Sequence, residues 1–276
     1  MATNNLEFIE PAGGEHAIAE VVFEVNLHPE TRIIEPQRYI DSLKDELSEE
    51  LPKYETTKAV FAEMNSNSMS VQQVPVAGFT FEKYKANGSL EYRLHAQNQP
   101  PGQGSWVAVN LMSYSNWSEM ADKAINWMQL IAKIQPGLQV KGITLNFINQ
   151  FNWNSKDLFP TNLVFNTSQS SYIPARLQDD LEDWSCQLSS AKTYEHFRQI
   201  ENMNIALQTN VQNGFKRAQI AMPLSLEFLS PCSYDELFDG DELLGLYSKL
   251  HDDNKQILSD VLTDDICEMI ALKKLR

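Results

Sequence analysis

The chain has few cysteines, no long apolar run and too few basic residues to balance its acids. Each shortage removes a class of protein. Three cysteines in 276 residues, Cys186, Cys232 and Cys267, are odd in number and widely spaced. They read as reduced thiols of a cytoplasmic protein rather than a disulfide framework. No apolar stretch approaches the ~20 residues that span a bilayer, so no membrane partner is expected. Met1 to Glu10 has neither a basic flank nor an apolar centre and does not read as a secretory signal. Acidic residues outnumber basic ones 37 to 22, for a formal net charge of -15. Between Arg176 and Ile270 the ratio is 18 to 7. Such a field repels phosphate backbones, and Lys216-Arg217 and Lys273-Lys274-Leu275-Arg276 are too short for a footprint. Direct nucleic-acid binding is therefore not expected.

Catalytic signatures are missing too. The sequence has no Gly-x-x-x-x-Gly-Lys-Ser/Thr, no Gly-x-Gly-x-x-Gly, no His-Glu-x-x-His and no Gly-x-Ser-x-Gly. The Gly102-Gln-Gly104 loop opens no helix and makes no phosphate cradle. His16, His28, His95, His196 and His251 are scattered, no two at metal-ligand spacing. His251-Asp252-Asp253 would point about 100° apart on a helix, so the trio reads as a solvated face. Cys267 reads as a packing residue. No catalytic, cofactor-binding or metal residue is assigned, and the chain reads as more a binder than an enzyme.

What is present is a globular composition, 42% hydrophobic and 10% aromatic. Ala19 to Leu27 alternates strictly: Ala19, Val21, Phe23, Val25 and Leu27 on one face, Glu20, Glu24 and Asn26 on the other. Pro36 opens a helical pattern carried by Tyr39, Ile40, Leu43, Leu47 and Leu51. Strands follow over Thr56–Met64, Met69–Lys85, Ser89–Gln97 and Trp106–Tyr114. Asn87-Gly88 signals a type I′ hairpin turn, and Pro75 with Gly78 a broken or edge strand. Asn116 and Glu119 form a capping-box-like start to a helix whose apolar stripe includes Trp117 and Trp127. Gly142 to Phe151 opens a second series, with Leu145, Phe147, Asn149 and Phe151 on one face and Asn146 and Gln150 on the other. Strands at Trp184–Lys192, Asn202–Val211 and Lys216–Leu229 follow, the last two joined at Asn213-Gly214. Helices over Glu242–Leu262 and from Thr263 close the chain.

The expected fold class is α+β. Two similar strand–helix–strands–helix halves, 17–137 and 138–276, follow a loose leader at 1–16. Each half has an antiparallel sheet packed on one face by long helices, and the half-sheets can join into one curved sheet. In topology that arrangement is similar to helix-grip and TATA-binding-protein architectures.

Four stretches resemble a sporadically distributed family of uncharacterised bacterial proteins of this length. They are Ala19-Glu-Val-Val-Phe-Glu-Val25, Trp106, Leu145-Asn-Phe-Ile-Asn-Gln150, and Leu250-His-Asp-Asp-Asn-Lys255 with Leu262-Thr-Asp264. Asn146 and Gln150 stand where those relatives commonly carry arginine. The resemblance implies no assigned activity, and a patchy distribution is that of accessory genes such as defence or toxin–antitoxin modules.

Two functions remain open. The leading expectation is a non-enzymatic regulatory protein contacting a protein partner with a basic surface, with homo-oligomers compatible. Glu20 and Glu24 read first as charges that keep an exposed sheet face from aggregating; the polar face they share with Asn146 and Gln150 is the place that best suits a binding surface, and no partner-binding residue is assigned. The alternative is a small-molecule-binding domain or hydrolase with a cavity between sheet and helices. That alternative requires an apolar pocket with convergent polar groups and a shifted titration. A core filled there by Trp117, Trp127 and Tyr247 would exclude it.

Overall fold

A computed structural model describes residues 5–65, 68–100, 102–168, 170–174, 177, 183–210, 215–238 and 241–272. The Asn213-Gly214 turn, most of the acidic stretch Asp179 to Asp183, and the basic run Lys273 to Arg276 lie outside them.

The strands are β1 (Ile9–Pro11), β2 (Ile18–Leu27), β3 (Lys53–Asn65), β4 (Ser68–Tyr84), β5 (Leu90–Asn98), β6 (Ser105–Leu111), β7 (Gln139–Trp153), β8 (Trp184–Thr193), β9 (Phe197–Asn210) and β10 (Phe215–Ser233). They form one ten-stranded sheet in the order β3-β4-β5-β6-β2-β7-β10-β9-β8, with β1 also pairing β7. Every pairing is antiparallel. The helices are α1 (Pro36–Leu43), α2 (Trp117–Ile134), α3 (Thr161–Val164), α4 (Tyr234–Leu237), α5 (Glu242–Val261) and α6 (Asp264–Met269). No helix of the described residues is long and apolar enough to cross a membrane.

This corrects the expected α+β class. Strands hold 44% of the chain and helices 28%, which makes a mainly-β fold dominated by one large sheet rather than a balanced pair of helix-packed halves. The physical reason lies in strand and helix lengths. The helical spacing from Tyr39 to Leu51 yields only the eight-residue α1, after which Leu47 and Leu51 are buried from turns. The strands run longer than their apolar cores: β4 has 17 residues, β7 15 and β10 19. In β10, pairing with β9 lapses at Met222 and Pro223, where proline has no N–H to give. The β3–β4 register likewise shifts between Thr57 and Ala59, opposite the segment holding Pro75.

Three smaller expectations are also corrected. Residues 5–16 are not a loose leader. Ile9 and Pro11 pair with Trp153 and Phe151, Ile9 is buried, and Phe8 packs edge-on against Trp153. The Asn87-Gly88 turn is not type I′, because Gly88 alone takes a positive φ, at 83°. Its Lys85 N to Ser89 O bond closes a three-residue loop of the type I plus bulge kind. The fourth strand of the first series ends at Leu111 rather than Tyr114.

The alternation of β2 holds: Val21, Phe23, Val25 and Leu27 are buried, while Glu20, Val22, Glu24 and Asn26 face away. On the inner face Phe23 stacks on Trp117 of α2 and meets Tyr247 of α5 edge-on. Tyr39 of α1 stacks on Phe79 of β4. Asn116 caps α2 by accepting from Glu119 N at 3.0 Å, and the Glu119 carboxylate accepts from Ser115 Oγ rather than closing a full capping box.

Candidate functional site

Two places gather polar groups. The first is a cleft of about 460 Å³ between the sheet, the start of α2, the second half of α5 and the chain after α6. Its volume lies in the usual range of small-ligand pockets. Trp117, the first residue of α2, and His251 of α5 form one wall. Their rings stack 4.1 Å apart at 6°, and Phe147 of β7 leans on both. Trp117 Nε1 reaches Ser248 Oγ at 3.4 Å. His251 is thus not on a solvated face as the sequence implied. Burial, with the Lys255 charge behind it, lowers its pKa to about 4 against the weaker pull of Asp252. At neutral pH the ring is uncharged.

The floor is Asn149, which shares the inner face of β7 with Phe147 and Phe151 and is 1% exposed. Its amide nitrogen has no hydrogen-bond partner. Most buried amides are bonded, so this one carries a desolvation cost of roughly 1–3 kcal/mol. Asn254, one helical turn from His251 and Leu250 and 3% exposed, sits beside it and donates weakly to Met222 O at 3.4 Å. Lys255 is half-buried on the same side of α5. His16, whose ring meets Tyr114 edge-on, closes the opposite rim. Burial raises the Tyr114 pKa, so its hydroxyl stays protonated. Trp127 and Tyr247 do fill the core beneath the helices, at 3% and 0% exposure. They do not line this cleft.

The second place is the uncovered face of the sheet. One row runs Thr80, His95, Ala108, Glu24, Thr144 and Ser225 across six strands. Glu20, Glu24, Asn146 and Gln150 are all on this face, as their spacing predicted. Glu20 accepts from Asn110 Nδ2 at 2.6 Å, and burial raises the Glu24 pKa, partly offset by Asn26. Glu82 takes Arg93 at 2.8 Å and the Tyr84 hydroxyl at 2.6 Å. Burial works against its charge, and these partners outweigh it, leaving the carboxyl below its ordinary range. Thr57 Oγ1, Thr80 Oγ1, His95 Nε2, Asn110 Oδ1 and Asn146 Oδ1 are buried here without a well-formed hydrogen bond.

Cys232 and His196 border one surface cleft, but burial first and the Glu242 charge second raise the thiol pKa, so it is held protonated. Cys186 is raised by burial as well, and Cys267 is packed in the core at 4% exposure. Among the described residues no group of three His, Cys, Asp or Glu could hold a metal. Asp252 is exposed but lies 3.5 Å from His251 Nδ1, whereas Asp253 turns to Lys249 at 2.7 Å, so the three do not converge on one point. Sequence reasoning placed Asn149 among apolar neighbours without marking it as a site. A lone amide on the apolar side of an alternating strand was the available signal.

The chain was compared with protein-family models, curated proteins and solved structures, and none matches.

Proposed function

We propose that this protein is a non-enzymatic small-molecule-binding protein whose site is the cleft between β7, α2 and α5. The observation that carries the reading is the Asn149 side chain, buried in an apolar face, with its amide nitrogen unbonded, at the floor of a ligand-sized cleft. A group that costs stability and packs no better than leucine is understandable where a ligand completes its hydrogen bonds. The lowered pKa of His251 supports the same place. The test is Asn149→Leu. Its melting temperature should rise, by the equivalent of roughly 1 kcal/mol, while hits from a fragment library in ligand-observed NMR should disappear. A fall in stability would make the amide a structural group and end the reading.

A second reading is favoured by a separate observation. The half-buried Glu20 and Glu24 on the second face of the sheet, together with a net charge of -15, fit contact with a protein partner of basic surface. An accessory role in a defence or toxin–antitoxin locus would take this form. Such a complex with a neighbouring gene product should co-purify at low salt, dissociate as ionic strength rises, and weaken in Glu20→Lys. Salt-insensitive association, or none with any neighbouring product, would rule it out.

A further inference from the structure

We infer that the cleft selects a small organic monoanion, a carboxylate carried on a flat apolar body, with Lys255 as its counter-ion. This rests on the reading of the cleft as a binding site and adds its charge selectivity. In a chain of net charge -15, the described residues lining the cleft include one lysine and no carboxylate. The acids nearest in sequence on α5 do not line the cleft. Asp253 holds Lys249 at 2.7 Å, and Asp252 lies 3.5 Å from His251 Nδ1. Among the described residues Lys255 makes no ion pair of its own. A half-buried cation beside apolar walls attracts an anion more strongly than the same charge in open water.

The number of donors sets the ligand's charge. A phosphate dianion is ordinarily held by several charged or bidentate donors. Lys255 is the one lysine or arginine of the lining and its other donors are uncharged side chains, which matches a single carboxylate, with Lys255 facing the charge and Asn149 donating to an oxygen. The other polar residues of the lining, His16, Tyr114, Ser115, Asn116 and Asn254, carry no carboxylate, and much of what remains is apolar and flat. Phe147, the Trp117–His251 stack, Leu258 and Ile270 supply it. An aromatic or similarly planar body fits those walls.

Calorimetric titration with naphthalene-2-carboxylate and its neutral analogue naphthalen-2-ylmethanol tests the inference, because the pair differs chiefly in charge. The carboxylate should bind one site at least tenfold more tightly than the alcohol. Lys255→Gln should bring the two affinities together, and Lys255→Arg should keep the preference. Lys255 is half-exposed, so neither variant threatens the fold, and thermal unfolding would verify that. Equal affinities in the unaltered protein, or a preference that survives Lys255→Gln, would overturn the inference while leaving the cleft a binding site. Binding of neither probe would remove both.

Discussion

At the scale of single residues, the buried imidazoles govern how the protein responds to acid. His251 and His95 are both held near pKa 4, each by burial first. For His251 the facing charges are Lys255, which opposes protonation, and Asp252, which favours it. For His95 they are Arg93 and Glu82, with the same signs. The unfolded chain binds a proton at each histidine near the ordinary 6.5, and the folded chain does not. Stability is therefore fully present above about 6.5 and lost as pH falls toward 4. His251→Phe keeps a flat ring against Trp117 and removes one titration. Urea unfolding between pH 4.5 and 7 should show a shallower pH dependence for that variant than for the unaltered protein. Equal slopes would mean that His251 is not held neutral in the folded state.

At the scale of elements, period-two alternation was the most legible signal. β2 could be placed because Val21, Phe23, Val25 and Leu27 alternate with polar neighbours, and the structure buries that set. α2 was legible from both ends, through the Asn116 cap and Gly137, which takes φ 82° just beyond the helix. What could not be read was partnership, since a strand's sequence does not name its neighbour. β1 is only three residues long, and its hydrogen bonds to β7 come from a partner some 140 residues away. The run from Tyr39 to Leu51 misled because turns buried against a core can carry apolar residues at helical spacing. The cleft was illegible for a related reason. Trp117, Asn149, His251 and Lys255 lie on three elements, and the packing of α2 and α5 on each other and on Phe147 of β7 brings them together. Gly142 shows how closely β7 approaches its neighbour β10. It faces Asn26 on one side and Glu227 on the other, and a Cβ there would meet Leu226 O at 2.3 Å.

At the scale of the molecule, β7 is the strand on which cohesion depends. It pairs along its length with β10, over most of β2, and with β1 at its far end. The apolar residues on the sheet's inner face and those of α2 and α5 belong to one contiguous core, in which Phe23 touches Trp117 and Tyr247 at once. Separating residues 1–137 from 138–276 would leave β2 and β7 as two long unpaired edges, each beside half of that core. The actual edge at β8 is better protected, presenting mostly exposed, polar side chains such as Ser189, Ser190 and Lys192. The intact chain should therefore unfold in one transition, with tryptophan fluorescence and far-ultraviolet circular dichroism coinciding. Expressed separately, neither fragment should show a cooperative transition, whereas mixing the two should restore one. Independent two-state melting of either fragment would show that the β2–β7 pairing joins two self-sufficient units, and that a ligand in the cleft bridges them rather than filling a gap in one.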